Sequence, residues 1–429
     1  MSGMTDTIKN AFKIPDLRKK LLFTLIMLVI YRIGIAVPVP GIDPAAFSQL
    51  IKSVGQLGTL LDIFSGGGLS QVSIFSMGIT PYVNSSIIMQ LLTVAIPALA
   101  RLQKEGDSGR KKIQQYVRYL TVGLALLQAG AFWYATRSAE APVLPSFMNA
   151  VLIIISFTAG TAFIMWIGEQ INESGIGNGI SMIIFAGIVS RGPQAVGTLF
   201  GYFQVWLANN IIVAVLGTLA VIAVFVLIIA LVVFVQQAER RIPIQYAKKV
   251  VGRKMYGGQS TYLPIKINQA GVIPVIFAIS IVSLPPTLVS LFQGTGPVAD
   301  FFANFSGNPF YYVFYGLLII GFTFFYSMVQ FNPIEVANNL QKNGGFIPGY
   351  RPGRATSDFI QKTSRRLNWF DALFLVIVVL FPVLMGGLTN TPGLWFGGTA
   401  ILIIVGVAID LVNQIESQMV MRHYKGFLD

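Results

Sequence analysis

The side chains that most often carry out chemistry in proteins are scarce in this sequence. Its 429 residues include no cysteine and a single histidine, His423. Disulfides, thiolate or histidine metal sites, cysteine nucleophiles and a Ser–His–Asp triad are therefore excluded. No G-x-x-x-x-G-K-[ST] motif is present, so the chain cannot hydrolyse a nucleotide through that phosphate-binding loop. The sequence predicts a protein that is not an enzyme, with no metal site and no cofactor.

Ionisable side chains within or near the apolar segments are also few, namely Arg32, Asp62, Asp371 and Asp410. Proton and ion pathways in membranes usually contain several paired acids and bases at depth. Asp410 is the best candidate for such a role, and the alternative is a hydrogen-bonded structural carboxylate. The pattern gives little support to an ion or proton relay.

The composition places the chain in a membrane. Hydrophobic residues make up 54% and charged residues 11% of the sequence, and the mean hydropathy is +0.69. Soluble domains carry about 25% charged residues. A water-soluble enzyme is therefore excluded.

Ten apolar runs approach or reach the roughly 20 residues that a helix needs to cross a bilayer. The first is interpreted as a permanent span and not as a signal peptide, because Arg32 interrupts it and no convincing cleavage site follows. The predicted spans are 21–37, 74–96, 117–136, 147–168, 178–193, 211–235, 271–291, 310–331, 370–388 and 396–416.

Ten spans divide into two sets of five. An odd number of spans in each half requires the halves to insert with inverted topology, which places a functional site at their interface near the midplane. The predicted halves are residues 1–207 and 208–429. No residue-level repeat supports the division, which is an inference from counting.

The positive charges predict the orientation. The segments 1–20, 97–115, 236–268 and 332–369 and the C-terminal tail together hold 25 of the 30 Lys and Arg residues, whereas the opposite set of loops holds Lys52, Arg137 and Arg191. The positive-inside rule then predicts that both termini are cytoplasmic. The loop 169–177 departs from the pattern, with Glu169 and Glu173 and no basic residue.

Three stretches differ from plain spans. The first, residues 60–69, is too short to cross and is broken by Asp62 and three glycines. Non-helical backbone at membrane depth is tolerated where protein buries it or where it lines a cavity. The stretch is predicted to be a re-entrant segment that can fill a pore, and the alternative is a loop on the external surface.

The second feature is the polar content of spans two and seven. Both carry prolines and several Ser, Asn, Gln or Thr residues. Such polar side chains join helices through hydrogen bonds worth about 0.6 kcal/mol each. Ordinary helix packing explains them. A seam held by weak polar contacts, which can open, is the functional alternative.

The third feature is the pair of long basic loops, 236–268 and 332–369. Residues 241–249 and 260–268 alternate with the period of two that is typical of strands, which predicts a hairpin. Residues 349–353 form a turn that presents Arg351. Such loops are either topology determinants or, because each exceeds 30 residues, docking surfaces for an anionic partner such as RNA phosphate or an acidic protein face.

Seven motifs, in order along the whole chain, resemble those of the SecY family, the channel subunits of the bacterial Sec protein translocon. They are ITPYVNSSIIMQLLT at 79–93, KEGDSGRKKI at 104–113, GNGIS at 177–181, YGGQSTYLP at 256–264, NQAGVIP at 268–274, NNLQK at 338–342 and GYRPG at 349–353. The resemblance implies an all-α multi-pass membrane protein, with ten transmembrane helices in two inverted five-helix halves, a re-entrant plug helix and a cytoplasmic β-hairpin loop.

The resemblance also implies roles for particular residues. A pore ring excludes water and ions by dewetting, and a plug near 60–73 closes the external funnel. The ring is expected at Val83, Ile87, Ile184, Ile276, Ser280 and Ile403. The plug is expected to include Leu60, Asp62, Phe64, Gly66, Gly67 and Gly68.

A lateral gate and a docking surface follow by the same resemblance. The gate is expected at Asn84, Gln90, Thr93, Gln128, Ile276 and Ser283. The docking residues are expected to be Arg240, Arg241, Arg253, Lys254, Arg351 and Arg354.

The implied partners are SecE, SecG, the ATPase SecA, the ribosome, secretory precursors with their signal peptides and membrane lipid, with no DNA. The implied location is the bacterial plasma membrane. The implied function is conduction of unfolded polypeptides across that membrane and lateral release of transmembrane segments.

Two other classes of protein fit the sequence less well. A secondary solute transporter could also have inverted five-helix repeats, but it needs a compact polar site at the midplane, and the sequence shows sparse intramembrane charge and docking-sized basic loops. An intramembrane enzyme lacks a histidine for a dyad or a metal site.

Overall fold

The fold was taken from a computed structural model of the full chain. The structure describes residues 12–44, 47, 62, 65–138, 147–246, 249–251, 254–256, 260–292, 301, 308–388 and 398–425. Within these residues the chain forms helices and a small amount of antiparallel sheet.

Each of the ten predicted spans overlaps a helix in the described part of the chain. In chain order the helices are α1 (Pro15–Ile35), α2 (Thr80–Ala95), α3 (Pro97–Lys104), α4 (Asp107–Ser138), α5 (Phe147–Ser174), α6 (Gly179–Val189), α7 (Gly192–Asn209), α8 (Ile211–Gln237), α9 (Ile273–Phe292), α10 (Pro309–Gln330), α11 (Pro333–Lys342), α12 (Arg354–Leu388) and α13 (Gly398–Lys425).

Six helices or continuous helical runs among the described residues are long and apolar enough to cross a membrane. They are Phe147–Ser174, Gly179–Ala208, Ile211–Gln237, Phe310–Lys342, Arg354–Gly386 and Gly398–Val420. The pair α2 and α3 qualifies together as a seventh, with a bend of 101° between them. The chain is therefore a mostly helical, multi-pass membrane protein.

The predicted boundaries of span two differ from the observed helix. α2 begins at Thr80 and not at residue 74, because residues 65–78 form successive turns and Gly78 has a φ of 56°, which ends any regular helix there. The bend after α2 falls at Ile96, whose extended backbone precedes Pro97 at the first position of α3.

Local sequence explains several helix starts. The side chain of Asn178 accepts hydrogen bonds from the amides of Ile180 and Ser181, and Asn210 caps α8 through the Ile212 amide. Asn332 caps α11 in the same way and is followed by Pro333. The N–H that proline lacks would have no partner within the helix at that first position.

The chain divides into two compact units. The first contains residues 1–198, 280–311 and 407–429, and the second contains residues 199–279 and 312–406. In the first unit, α1, α4, α5 and α6 pack around the turns at 65–78. Its core includes Leu69, Val72 and Met77 from the turns and Ile153 and Phe157 from α5.

The second unit contains five strands, β1 (Glu239–Tyr246), β2 (Lys249–Val251), β3 (Lys254–Tyr256), β4 (Ser260–Lys266) and β5 (Gly345–Phe346), in the described residues. Three of them form an antiparallel sheet in the order β4–β1–β5, and β2 pairs separately with β3. β1 pairs with β4 from Glu239 opposite Lys266 to Gln245 opposite Ser260. The predicted alternation and hairpin are confirmed.

The two long basic loops, predicted separately, fold together. β5 comes from the second loop and pairs with β1 of the first through Gln245 opposite Phe346 and Tyr246 opposite Gly345. Ile242, Ile244, Ile265, Leu340, Ile347 and Ile360 form a shared apolar core. We call this unit of β1, β4, β5, α11 and the first turns of α12 the basic module.

Ile360 is fully buried in the core of the basic module, whereas Ile334 on α11 is 63% exposed. Replacing Ile360 by Ala should lower the stability of the module by about 2–5 kcal/mol, because a large side chain is removed from a packed site. Ile334→Ala is the matched control and should leave the thermal unfolding midpoint of the purified protein nearly unchanged. Equal midpoints for both variants would show that this core does not stabilise the module.

Candidate functional site

The predicted plug region lies on the segment formed by Asp62 and residues 65–78, which we call the turn segment. Leu60 and Phe64 lie outside the described residues, while Asp62 is helical and residues 65–78 form turns. Asp62, Gly66 and Gly68 are buried and Gly67 is partly buried, although Ser70 and Gln71 are exposed. This irregular backbone is therefore mostly enclosed by protein.

The backbone of the turn segment finds its hydrogen-bond partners within the first unit. The amide of Gly67 donates to the Asp62 carbonyl at 2.9 Å and the amide of Ile74 donates to the Val37 carbonyl at 3.0 Å. The Ser70 amide donates to Asp62 Oδ1 at 2.8 Å. Such internal pairing is what irregular backbone at membrane depth requires.

Two glycines on neighbouring helices allow the turn segment to approach closely. A Cβ built at Gly160 of α5 would lie 1.9 Å from the Ile74 carbonyl oxygen, and one at Gly34 of α1 would lie 1.9 Å from the Phe75 ring. Phe75 stacks on Tyr31 and on Phe163, with ring centroids 6.0 Å apart in each pair. These glycines were not singled out from the sequence.

The other end of the turn segment meets charged side chains. Arg191 forms an ion pair with Asp62, and Arg32 Nη1 donates to the Gly66 carbonyl at 3.1 Å and to Ser190 Oγ at 2.8 Å. The Tyr31 hydroxyl donates to the Ser65 carbonyl at 3.3 Å. Of these residues the sequence had marked Asp62 as part of the plug and Arg32 as an intramembrane charge, but not Arg191 as a site residue.

The six predicted pore-ring residues are divided between the units. Val83, Ile87, Ile184 and Ser280 belong to the first unit and Ile276 and Ile403 to the second. Ile87, Ile184, Ser280 and Ile403 are buried, whereas Val83 and Ile276 are half-buried. All six residues lie on helices, and five of the six are aliphatic.

Among the predicted gate residues on α2, Thr93 hydrogen-bonds within its own helix. Thr93 Oγ1 donates to the Gln90 carbonyl at 2.7 Å, and the neighbouring Ser85 hydroxyl donates to the Pro81 carbonyl at 2.8 Å. Gln90 Oε1 is buried with no hydrogen-bond partner in the described chain. Both hydroxyls thus donate to carbonyls of α2 itself.

The other predicted gate residues lie on three different helices. Asn84 and Gln128 are half-buried on α2 and α4. Ser283 lies on α9, but its side chain lies outside the described part of the structure. Just before α9, Gln269 Oε1 accepts hydrogen bonds from Ser327 Oγ at 2.9 Å and Ser364 Oγ at 3.2 Å, which ties α10 and α12 to this segment.

The basic module presents an excess of positive charge. The two loops that form it, 236–268 and 332–369, contain thirteen Lys and Arg residues against three acids, Glu239, Glu335 and Asp358. Four of the six predicted docking residues lie on its described surface and are exposed, namely Arg240, Arg241, Arg351 and Arg354. Arg253 lies outside the described residues, and Lys254 is described for its backbone in β3 alone.

Arg351 stands on a turn, as the sequence predicted, and contacts of its neighbours hold that turn. Gly349 and Gly353 have φ values of 87° and 97°, a region that favours glycine. The Tyr350 ring packs on Phe359 with centroids 4.2 Å apart, and Thr356 Oγ1 donates to the Arg351 carbonyl at 2.8 Å. The backbone of Arg351 is fixed while its guanidinium faces outward.

The acidic residues noted in the sequence have different environments. Asp410 is exposed, whereas Asp371 is 1% exposed and neither of its carboxylate oxygens has a hydrogen-bond partner among the described residues. Glu169, which departed from the charge pattern, lies on α5 and accepts from Arg118 Nε at 2.6 Å. A cation from α4 therefore compensates that buried acid.

The apolar helices define a multi-pass membrane protein, and comparison with known proteins gives its family. The SecY family model matches residues 73–412, so the chain belongs to the SecY family. Proteins named protein translocase subunit SecY are 46% identical in Streptomyces galbus and 42% identical in Thermotoga maritima. Each comparison covers 99% of this chain, and 100% and 98% of the respective relative.

Solved structures share the fold. One titled as the structure of a protein conducting channel has a TM-score of 0.63 at 20% identity, covering 94% of this chain and 93% of its own. Canine Sec61 in a ribosome–channel complex has a TM-score of 0.59 at 19% identity, over 94% and 93% of the two chains. The predicted fold class and family are thereby confirmed.

Gly160 and Gly123 offer a matched test of the close approach between α5 and the turn segment. Gly160→Ala should destabilise the protein by about 1–3 kcal/mol, because the new methyl group meets the Ile74 carbonyl, a backbone atom that cannot rotate away. Gly123→Ala on α4 has nothing within 4 Å and should be neutral or stabilising by up to about 1 kcal/mol. Thermal unfolding of the two purified variants distinguishes these outcomes, and a neutral Gly160→Ala would contradict the packing.

Proposed function

We propose that the protein is the channel subunit of a bacterial protein translocase, which conducts unfolded secretory polypeptides across the plasma membrane and releases transmembrane segments laterally into lipid. The observation that carries this proposal is membership of the SecY family over residues 73–412. Full-length relatives named as translocase subunits support it. The solute-transporter alternative is not favoured, since neither the family nor those names point to a solute carrier.

The basic module is proposed as the docking surface for the motor or ribosome that drives transport. Its exposed Arg240, Arg241, Arg351 and Arg354 suit an anionic partner such as RNA phosphate or an acidic protein face. Two fold neighbours are titled as ribosome complexes, canine Sec61 and yeast Ssh1. For this chain we propose SecA or a ribosome, with Arg253 and Lys254 near the tip of the β2–β3 hairpin as further contacts.

The pore ring is proposed at the six residues named above from the sequence. Aliphatic side chains exclude water and ions by dewetting and offer no fixed hydrogen bonds to a passing chain. Such a ring can seal around many sequences, whereas it could not hold a polar solute. Residues 60–73 are proposed as the plug and spans two, three, seven and eight as the lateral gate.

The proposed arrangement in the membrane rests on the number of spans and on the distribution of Lys and Arg residues. Ten spans would form two inverted halves, residues 1–207 and 208–429, with both termini and the basic module in the cytoplasm. A small SecE subunit would clamp the halves and SecG would accompany it. The apolar transfer energies that make spans recognisable in a sequence would also drive release of a precursor's own spans into lipid.

Reversing the charge of Arg351 tests the docking surface. Arg351→Glu should reduce SecA-driven transport into vesicles by about tenfold or more, because it places a negative charge where an acidic partner binds. The exposed Arg110→Glu on α4 is the matched control and should retain transport. The variant complex should still assemble, since the Arg351 side chain is exposed. Normal transport by Arg351→Glu would contradict the docking assignment.

Removing aliphatic side chains tests the ring. The double substitution Ile87→Gly and Ile276→Gly should make the resting channel conduct ions in planar bilayers, because water can then wet the constriction. Ile88→Gly, next to Ile87 on α2 but exposed, controls for the loss of helix propensity and should leave the conductance low. An unchanged conductance in the double variant would argue against the ring.

A further inference from the structure

The short helix α6 carries Ile184, one of the residues of the proposed pore ring. Ile184 follows Gly179, where α6 begins, by about 7.5 Å along the helix axis at 1.5 Å per residue. A shift of the start of α6 therefore moves Ile184 with it, which matters if the proposed channel function, on which this inference rests, is correct. The start of α6 follows residues 175–178, which we call the α5–α6 loop.

Two helices that are distant in the chain bind the backbone of the α5–α6 loop through side-chain oxygens. The Ile176 amide donates to Thr24 Oγ1 of α1 at 3.0 Å, across 152 positions of sequence. The Gly177 amide donates to Gln414 Oε1 of α13 at 2.9 Å, across 237 positions. Two successive amides of the loop thus depend on acceptors from α1 and α13, which together determine where the loop lies.

Glycines allow the loop and the start of α6 to approach these helices closely. Gly177 has a φ of 87°, a region that favours glycine. A Cβ built at Gly175 would lie 2.5 Å from Thr24 Oγ1, and one at Gly179 would lie 2.0 Å from the Gly168 carbonyl oxygen on α5. Larger residues at these positions would push the loop away from α1 and the start of α6 away from α5.

Apolar packing accompanies the hydrogen bond between Gly177 and Gln414. Ile415, the residue after Gln414, is buried in a cluster with Ile176 of the loop and Leu17 near the start of α1. The last turns of α13, the first turns of α1 and the α5–α6 loop therefore form one packed junction. All of these residues belong to the first unit.

We propose that Thr24 and Gln414 are positioning residues, which fix the start of α6 through the amides of the α5–α6 loop and thereby hold Ile184 in the ring. The Thr24 hydroxyl donates its own proton to the Lys20 carbonyl at 3.0 Å, so its oxygen is oriented to accept from the loop. Removing either acceptor leaves a loop amide without its partner inside the protein, which is costly and favours a shifted loop. The two side chains act on the channel through α6.

Substitutions that remove only the acceptor oxygen test these roles. Thr24→Val keeps the shape of the side chain and Gln414→Met keeps its length, and each should raise the resting ion leak about fivefold or more, because the loop shifts when its amide loses its partner. Thr24→Ser and Gln414→Glu retain an acceptor oxygen and should leak no more than the wild type. Unless both acceptor-free variants leak and both acceptor-retaining variants stay closed, the positioning role is overturned.

Hydrogen exchange separates positioning from a general loss of stability. In Gln414→Met, amides in a peptide covering residues 172–184 should exchange about fivefold faster or more, whereas peptides from α8 should exchange at the wild-type rate. Asn413→Ala, at an exposed position of the same helix, is the matched control and should change neither exchange nor leak. Faster exchange throughout the protein, or unchanged exchange at 172–184, would overturn the positioning role.

A double variant tests whether the two acceptors act on one loop. Residues in one hydrogen-bonded network give effects that do not add. Once Thr24→Val has released the loop, adding Gln414→Met should have less effect, so the double variant should leak less than the product of the two single increases. A leak equal to that product would mean that the two side chains act independently, and would overturn the shared junction.

The same preparations separate this inference from the proposed function. They contain the protein purified from membranes with its associated subunits, reconstituted into vesicles. If the wild-type complex transports precursor and the acceptor-free variants do not leak, the positioning role fails while the channel function holds. If the wild-type complex shows no transport under conditions where a related translocase does, the proposed function fails first.

Discussion

Backbone hydrogen bonding away from water is the constraint on which the structure depends. A chain in an apolar medium must satisfy its own amides and carbonyls, which helices do by themselves and irregular segments do through their neighbours. In the turn segment, backbone groups form hydrogen bonds with the backbone of residues 37 and 39, and further amides donate to serine side chains and to Asp62. Close approach by Gly34 and Gly160 makes these bonds possible. Non-helical backbone can therefore lie inside a helical unit.

Much of the fold could be predicted from the sequence because its signals are local. Apolar runs located helices at all ten expected places, and a period of two located β1 and β4. The glycines and the proline of residues 349–353 predicted a rigid turn carrying Arg351, which the positive φ values confirm. Each of these features depends on residues that are neighbours in the chain.

Other features depend on residues far apart in the chain and could not be predicted. Asp62 and Arg191 are separated by 129 positions, and nothing local marks Arg191 as the partner of that acid. β5 has two residues, too few for a strand pattern, yet it joins the two basic loops into one module. The sequence favoured Asp410 among the intramembrane acids, whereas the deepest burial is at Asp371, because burial depends on packing against distant helices.

The central claim, that a polypeptide passes through this protein at the aliphatic ring, is tested most directly by cross-linking a transported chain to it. A single cysteine at Ile87 or at Ile276 is unique in the protein, since the chain has no other. A secretory precursor carrying a thiol-reactive probe would be stalled midway in vesicles containing the complex, SecA and ATP. The account predicts ATP-dependent adducts at both positions and none at exposed Ile334. A stalled precursor that gives no adduct at either ring position would contradict it.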